Sequence, residues 1–319
     1  MEQTIRSMTA GLLMAAAALL ALAGTARAGE AVQPPWSKPL VTGVNITVPG
    51  VDNVPDLHGD INDPDLVIFF AGNQYMLVNE LLGEFQKKHP DYPRVFAETL
   101  PPGILARQIT EGALVIGNMR IRLQPDIFTA GHGRMMALQS EHGWFSETRN
   151  YARNHLAIMT YKGNPKGVTG WRDLAKKDIR LCMPNPKWEG IAQHAIIPAL
   201  EATGGQELVD GVYKDKVADG STFLTHIHHR QTPMRVMAGE CDAGAVWYTE
   251  AYFHAKLSGH PTAMVEIPAN QNKVVTYTAG IMKKAPHAKA ARAFMDFLTG
   301  PEGQAIYRHY GFMPPPAAK

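Results

Sequence analysis

Residues 65–90 read DLVIFFAGNQYMLVNELLGEFQKKHP, and this stretch decides the class of fold. Leu66–Phe70 is an unbroken apolar run, which is typical of a strand buried on both faces. Gly72 ends the run, and apolar residues then recur at helical spacing until a Lys-Lys-His-Pro segment ends the helix. The stretch therefore predicts a strand, a tight loop and a helix, which is half of a βαβ unit.

Strand and helix patterns alternate along most of the remaining chain. Strand patterns occur at residues 94–98, 125–130, 154–161, 179–183, 243–248 and 274–282, and two helical patterns, 288–298 and 301–310, follow the last strand. Residues 112–124 alternate around Gly117-Asn118, which predicts a hairpin. This alternation predicts α/β lobes with mostly parallel, doubly wound sheets. About 290 residues beyond the leader are too many for one small core, so we expect two lobes joined by two crossover strands.

The chain begins with the pattern of a secretory leader. Arg6 precedes the apolar run 12–23, and Ala26-Arg27-Ala28 offers small residues for a signal peptidase. The run is shorter than the ~20 residues of a membrane span, and no cysteine follows it for lipidation. We therefore expect a cleaved signal peptide and a soluble periplasmic protein. The predicted division is 1–28 leader, 29–64 extended arm wrapping lobe 1, 65–153 with 279–319 lobe 1, and 154–278 lobe 2.

Composition limits the classes of partner and activity. The formal net charge of +2 at pH 7 argues against nucleic acid or a membrane surface as a partner. Neither a nucleophile elbow nor a cysteine framed as a nucleophile occurs, so we expect no enzyme, no catalytic residue and no cofactor. The two cysteines, Cys182 and Cys241, are either a disulfide or two buried thiols, and their spacing does not decide between these.

Several segments together resemble the periplasmic solute-binding proteins of ABC importers, in particular the molybdate- and tungstate-type proteins with two hinge strands. The resemblance runs from about residue 65 to 315 and rests on the segments 71–73, 85–90, 99–109, 154–164, 171–174, 239–244, 290–304 and 310–312. It implies a monomeric receptor that closes two lobes on a small ligand and then meets a permease in the inner membrane. Asn73 and Pro101-Pro102-Gly103 stand where those proteins carry serine, so the ligand stays open.

Four loop-to-helix junctions are placed to converge at the carboxyl ends of the strands. Helix N-termini offer free N–H groups and a positive dipole, which suit an anion. The candidate ligand residues at these junctions are Gly72, Asn73, Gln74, Thr99, Gly103, Asn185, Trp188, Arg230, Gln231 and Thr232. Arg230 is the expected anion grip. Thr232 is the expected N-cap of a helix that starts at Pro233.

Tyr248 follows the last strand pattern of lobe 2 and is a further candidate ligand residue. The same region permits a metal site built from His226, His228 and Glu250, with His132 as another possible ligand. We therefore expect capture of a molybdate-, tungstate- or sulfate-like oxyanion. One alternative is a receptor for a transition metal or a metal chelate. Another is a ligand-sensing subunit for a membrane kinase.

Overall fold

The structure is a computed structural model that describes residues 44–48 and 54–317. The predicted leader, most of the predicted arm and the last two residues lie outside these ranges. No helix within the described part of the chain is long and apolar enough to cross a bilayer.

Fourteen strands are present in the described ranges. They are β1 Val44–Ile46, β2 Leu57–Gly59, β3 Leu66–Phe69, β4 Val95–Glu98, β5 Leu114–Ile116, β6 Met119–Ile121, β7 Ile127–Gly131, β8 Phe145–Asn154, β9 Leu156–Tyr161, β10 Leu181–Met183, β11 Thr222–Leu224, β12 Ala243–Trp247, β13 Thr262–Glu266 and β14 Val275–Met282.

Helices connect most of the strands. The α-helices are α1 Tyr75–Lys88, α2 Pro102–Glu111, α3 His132–His142, α4 Ile197–Asp210, α5 Lys216–Ala218, α6 Gln231–Met237, α7 Tyr248–Tyr252, α8 Ala288–Thr299 and α9 Pro301–His309. Short 3-10 or π segments occur at Gly72–Gln74, Trp171–Ala175, Ala192–Ile196, Gly211–Asp215, Phe253–Leu257 and Ala269–Gln271. Gly205 interrupts α4 with a φ of 69°, a left-handed conformation that glycine adopts readily.

Two mixed sheets organise these elements. The larger has the order β1-β2-β4-β3-β7-β14-β8, and the smaller has the order β11-β10-β12-β9-β13. Strand β3 runs parallel to β4 and β7, and β10 runs parallel to β11 and β12. The predicted doubly wound α/β architecture with two lobes is confirmed. We call the half built on the larger sheet lobe 1 and the half built on the smaller sheet lobe 2.

Each sheet carries an apolar core on both faces. Along β3, Leu66 and Ile68 belong to one core cluster, whereas Val67 and Phe69 belong to another. Helices α1, α8 and α9 cover the first face, and α2 and α3 cover the second. This arrangement explains the unbroken apolar run, because a strand between two helical layers has no side that faces water.

Several strands had no counterpart in the sequence prediction, among them the edge strands β8 and β13. Strand β8, FSETRNYARN, alternates buried and exposed positions and is half polar, so it lacks the apolar run of a central strand. It lies at the edge of the larger sheet, where only β14 pairs with it. Strand β13 is likewise an edge strand, in the smaller sheet. Edge strands are exposed on one side, and their apolar signal is correspondingly weak.

The chain crosses between the lobes twice, at adjacent points. Only His155 separates β8 from β9, and Asn272 lies just before β14. The Asn272 side chain accepts the N–H of Leu156 at 2.9 Å and donates to its carbonyl at 2.8 Å. Strand β14 pairs in the larger sheet from Val275 onward, so the return crossover comes before residue 279, the predicted lobe boundary. The remaining predicted boundaries stay predictions.

The described part of the predicted arm belongs to the larger sheet. Strand β2 pairs with β4, and β1 pairs with β2 at the sheet edge. Asp56 and His58, which flank Leu57, are buried. The arm therefore extends the sheet as its first two strands, instead of only wrapping the lobe.

Cys182 on β10 and Cys241, just before β12, form a disulfide with a Cα–Cα distance of 5.7 Å. Both residues are buried in a core cluster of lobe 2 with Val236 and Ala251. The bond links two positions of one lobe that are 59 residues apart along the chain. This resolves the question that the sequence left open.

We expect the double variant Cys182→Ala/Cys241→Ala to lose about 4 kcal/mol of unfolding free energy, because a bond between positions 59 residues apart restricts the unfolded chain. Denaturant unfolding with and without reductant measures the loss. Reductant should lower the midpoint of the wild type and leave that of the variant unchanged. Equal midpoints for the oxidised wild type and the variant would contradict a stabilising disulfide.

Candidate functional site

Loops at the carboxyl ends of the parallel strands bring polar side chains of the two lobes together. In lobe 1, Gly72 follows β3 and Thr99 follows β4. In lobe 2, Glu189 follows β10, the segment 225–230 follows β11, and Glu250 lies in α7 directly after β12. Open α/β sheets bind ligands at this edge. The facing edges of the two sheets therefore define the candidate site.

Arg230 is the charged centre of the site. Its side chain is fully buried, and its Nη2 forms an ion pair with Oδ1 of Asp56, which is also fully buried. The guanidinium also lies over the ring of Tyr75, 5.1 Å from the ring centroid. Asp56 and Tyr75 belong to lobe 1, so one lobe 2 cation is held by two lobe 1 side chains. A buried arginine with this pairing is fixed in position and keeps its charge.

His228 reaches the first loop of lobe 1. A Cβ at position 72 would overlap its Nε2 and would lie 3.0 Å from the carbonyl oxygen of Thr99. Burial, with added repulsion from His229 and Arg230, holds the pKa of His228 well below its ordinary value. Its Nδ1 accepts the N–H of Arg230 at 2.9 Å, so in the neutral ring Nε2 carries the hydrogen. His228 therefore presents an N–H donor to lobe 1.

His58 fixes the second loop of lobe 1. Burial is the main cause that lowers the pKa of His58 to about 4, so the ring is neutral at neutral pH. Its Nδ1 lies 3.0 Å from Asn79 Oδ1 and its Nε2 lies 3.0 Å from the Thr99 hydroxyl, which also donates to the carbonyl of Pro55 at 3.1 Å. The Thr99 hydroxyl is thus held by the arm strand β2.

His229 lies between two carboxylates of lobe 2. Its Nδ1 is 3.5 Å from Oε2 of Glu189, and its Nε2 is 3.4 Å from Oε2 of Glu250. Burial opposes a charge on the ring, but the two carboxylates outweigh burial and raise the pKa of His229 to about 9. His229 is therefore a second cation beside Arg230 at neutral pH.

Comparisons with known proteins agree with this architecture. The profile of the family described as bacterial extracellular solute-binding protein matches residues 66–313. The chain belongs to this family.

A relative in Mycobacterium tuberculosis, molybdate-binding protein ModA, is 22% identical over 251 residues, covering 78% of this chain and 85% of the relative. A sulfate-binding protein of Synechococcus elongatus is 28% identical over 184 residues, covering 54% of this chain and 51% of that protein. Among solved structures, the periplasmic molybdate-binding protein of Azotobacter vinelandii has a TM-score of 0.63 at 19% identity, covering 78% of this chain and 99% of its own. That likeness shows a shared fold.

In this solute-binding protein, two predicted ligand residues are held by their own lobe and a third is exposed. Asn73 Nδ2 donates to the Tyr277 hydroxyl at 2.7 Å. Gln74 Oε1 accepts from the hydroxyls of Tyr151 and Tyr307 at 3.0 and 2.5 Å, inside lobe 1. Gly103 is exposed in the first turn of α2 and has open space around it. Their contact with a ligand stays a prediction.

Two predicted residues in the third loop face solvent or their own turn. Asn185 is partly buried and its Oδ1 accepts the N–H of Lys187 at 2.9 Å, which closes a local turn. Trp188 is 46% exposed, so it does not cover the site in this conformation. The buried residue of this loop is Glu189, whose Oε1 accepts from the Thr225 hydroxyl.

The fourth junction differs from the predicted capping. Helix α6 begins at Gln231, with Arg230 as its N-cap residue and no capping bond from a side chain. Thr232 is buried, and its methyl group lies where a Cβ of Gly244 would be, so packing against β12 explains this position better than capping. Gln231 Oε1 accepts the N–H of His226 at 2.7 Å and closes the loop.

Tyr248 and the residues of the alternative metal site each contact a different part of the protein. Tyr248 stacks on His155 at the first crossover, with ring centroids 4.4 Å apart. His226 is exposed beside Phe223, whereas His228 faces Gly72 and Glu250 faces His229. His132 is exposed, and its Nδ1 lies 3.0 Å from the Thr278 hydroxyl. Within residues 44–48 and 54–317, no group of three or more His, Cys, Asp or Glu side chains is arranged to hold a metal.

Sequence reasoning did not select several side chains of the site, among them Glu189, His229 and Asp56. Glu189 follows Trp188 and His229 precedes Arg230, and both lie in loops that the sequence analysis had selected. Their presence near the site could therefore have been predicted. Asp56 lies in a stretch rich in Pro, Gly, Asn and Asp, which carries no signal of a buried charge. Its partner, Arg230, is 174 residues away along the chain.

We expect Glu250→Gln to lower the pKa of His229 from about 9, because the variant removes the larger of the two favourable carboxylate charges. A histidine NMR titration measures this change, with Glu240→Gln on the exposed surface of lobe 2 as the control. A raised folded pKa stabilises the protein fully below the unfolded value near 6.5, and this stability is lost as pH rises through about 9. An unchanged His229 titration in the variant would contradict the assigned pairing.

Proposed function

We propose that this protein is the substrate-binding component of an ABC-type importer and that it captures a small oxyanion between its two lobes. The observation that carries the proposal is the buried donor set formed by Arg230 and His228 where the strand ends of both sheets meet. An always-charged guanidinium and a fixed imidazole N–H are suitable donors for a compact anion. The neighbouring His229 is also protonated, and its charge is shared with Glu189 and Glu250 of the same lobe.

The relatives support the same class of ligand. Their names describe binding of molybdate and sulfate, which are small oxyanions. We transfer the class, a small oxyanion, to this chain and leave the identity of the central atom open. Arg230 and His228 come from one loop of lobe 2, and Asp56, Tyr75 and Gly72 of lobe 1 lie against them, so we infer that release of the anion requires the lobes to separate.

The proposed partner is an inner-membrane permease that recognises the closed lobes, and the proposed location is the periplasm, reached through the leader 1–28. Closure that depends on the ligand is the means by which a receptor reports its occupancy. We propose a monomer and a binding role without catalysis. A membrane sensor kinase as partner would use the same site and the same closure.

We expect Arg230→Gln to weaken oxyanion binding by at least about tenfold, since a charge-assisted hydrogen bond contributes about 1.5–3 kcal/mol. Isothermal titration with a panel of molybdate, tungstate, sulfate, phosphate and arsenate identifies the ligand and measures the loss. Arg230→Lys keeps the charge beside Asp56 but loses the planar guanidinium with its paired N–H donors. Its affinity for the oxyanion should therefore lie between those of wild type and Arg230→Gln.

The matched control is Arg235→Gln, which alters an arginine on the same helix whose partner is Glu240 on the lobe surface. Its affinity should equal that of wild type. Copper, nickel, zinc and ferric iron complete the panel. Binding of a metal alone, or an affinity that Arg230→Gln leaves unchanged, would overturn the proposed function.

We expect Gly72→Ala to disfavour closure, because the new Cβ would overlap the His228 ring in the closed arrangement. Affinity should fall while the unfolding midpoint of the unliganded protein changes little. Small-angle scattering should show a smaller ligand-induced contraction than in wild type. Gly83→Ala, a helical position of lobe 1 with open space around it, is the control. Equal contraction in both variants would contradict the contact between Gly72 and His228 as part of closure.

A further inference from the structure

A segment of lobe 2 packs into the hydrophobic core of lobe 1. Residues Phe253–Leu257 lie between β12 and β13 of the smaller sheet, but Phe253 belongs to the core cluster on the first face of the larger sheet, and Leu257 packs against that cluster. Met234 of α6, a helix of lobe 2, belongs to the same cluster. Phe253 and Met234 are both buried, so the two lobes share one apolar core at this point.

Tyr75 at the start of α1 is the lobe 1 residue at the centre of this contact. Its ring lies edge-on to that of Phe253, with the ring centroids 6.2 Å apart, and its hydroxyl lies 2.9 Å from Nε2 of His254. The guanidinium of Arg230 lies over the same ring. We call the contact of Phe253 and His254 with Tyr75 the Tyr75 clasp. It joins the lobes directly beside the candidate site.

His254 brings a polar ring into the clasp without leaving it unpaired. It is fully buried, and burial, with added repulsion from His260, lowers the pKa of His254 to about 3, so the ring is neutral at neutral pH. Its Nδ1 lies 2.8 Å from Nδ1 of His260, while its Nε2 faces the Tyr75 hydroxyl. Both ring nitrogens therefore have partners when the lobes are together. The clasp thus combines apolar burial with neutral hydrogen bonds.

Separation of the lobes would break the clasp. Phe253 and His254 directly follow α7, and α7 follows β12, so they move with lobe 2, whereas Tyr75 moves with α1 of lobe 1. Burial of an aromatic side chain favours the state that buries it, which here is the closed one. Among the described residues, the ring contacts and hydrogen bonds of the two lobe 2 side chains involve neither Arg230 nor His228, the proposed anion donors. Their contribution to closure therefore needs no ligand.

We propose that the Tyr75 clasp is a closing device that sets the affinity of the site from outside it. The inference rests on the proposed function, in which the ligand is held by the closed lobes, and adds a control of closure. The apparent affinity of such a receptor is proportional to the population of its binding-competent form. The clasp raises the population of closed lobes before the ligand arrives, and contacts with the ligand complete the closure. Every ligand of the site gains affinity by the same factor.

Isothermal titration of Phe253→Ala with molybdate, tungstate, sulfate and phosphate tests the clasp. The variant should weaken the binding of each anion that binds wild type by one common factor of at least about tenfold, because closure no longer buries a phenylalanine ring. Phe253→Leu keeps part of the apolar contact, so its common factor should be smaller, and it replaces the alanine variant if that variant does not fold. An unchanged affinity, or a factor that differs among the anions, would overturn the inference.

The matched control is Phe297→Ala. Phe297 is buried in the same core cluster, and its ring contacts those of Phe85 and Phe294 in lobe 1. Because its partners belong to its own lobe, the variant should lower the unfolding midpoint and keep the wild-type affinity for the anions. Thermal unfolding measures the midpoint of every variant.

A measurement without ligand separates this inference from the proposed function. Spin labels on Arg107→Cys in lobe 1 and Lys214→Cys in lobe 2, two exposed positions, report the distance between the lobes by pulsed electron paramagnetic resonance. Both Phe253 variants should shift the distances of the unliganded protein toward separated lobes, and Phe297→Ala should not. Distances equal to those of wild type would overturn the clasp. If none of the anions binds wild type, the proposed function fails, and these distances alone decide on the clasp.

Discussion

A charge that is removed from water must be compensated, and the structure meets this constraint by pairing Arg230 with Asp56 across the two lobes. Both side chains have no exposure to solvent. The pairing requires that the loop after β11 in lobe 2 and the arm in lobe 1 be formed together and lie against each other. The positions of Gly72, His228 and Tyr75 follow from the same approach of the lobes.

The two lobes contribute different charged groups to this site. Lobe 1 contributes Asp56 and neutral groups such as His58, whereas lobe 2 contributes two cations and the carboxylates of Glu189 and Glu250. His229 thus lies between two carboxylates of its own lobe, whereas Arg230 is paired with Asp56 across the cleft. The first pair supports the lobe itself, while the second depends on the distance between lobes.

Local patterns made most of the fold predictable. The apolar run of β3 and the helical spacing of α1 are local features, and a strand buried on both faces needs no partner information to be recognised. Strand β8 was missed because an edge strand with polar residues has no such run. The exact start of α6 was missed because Thr232 packs on Gly244, a contact between distant positions that overrides the capping preference.

The site was predictable to the level of loops but not of all contacts. Arg230 was selected because a permanent charge next to a helix start is unusual, whereas nothing local marks Asp56, whose role depends on a partner 174 positions away. Gln74 shows the opposite limit: it lies in a predicted ligand loop, but the hydroxyls of Tyr151 and Tyr307 hold it inside lobe 1. The position of a residue in a loop indicates that it lies near the site. The conformation of its side chain decides whether it points toward the site.

The disulfide has a consequence for how the protein matures. The ring between Cys182 and Cys241 contains Glu189, His228, His229 and Arg230, so two loops of lobe 2 at the candidate site lie inside one covalent ring. Thiols stay reduced in the cytosol and are oxidised outside it. Before oxidation no covalent bond links the two ends of this segment, and the disulfide forms once the chain meets an oxidising compartment. The same chemistry that stabilises lobe 2 thus delays full assembly of these two loops until the chain meets an oxidising compartment.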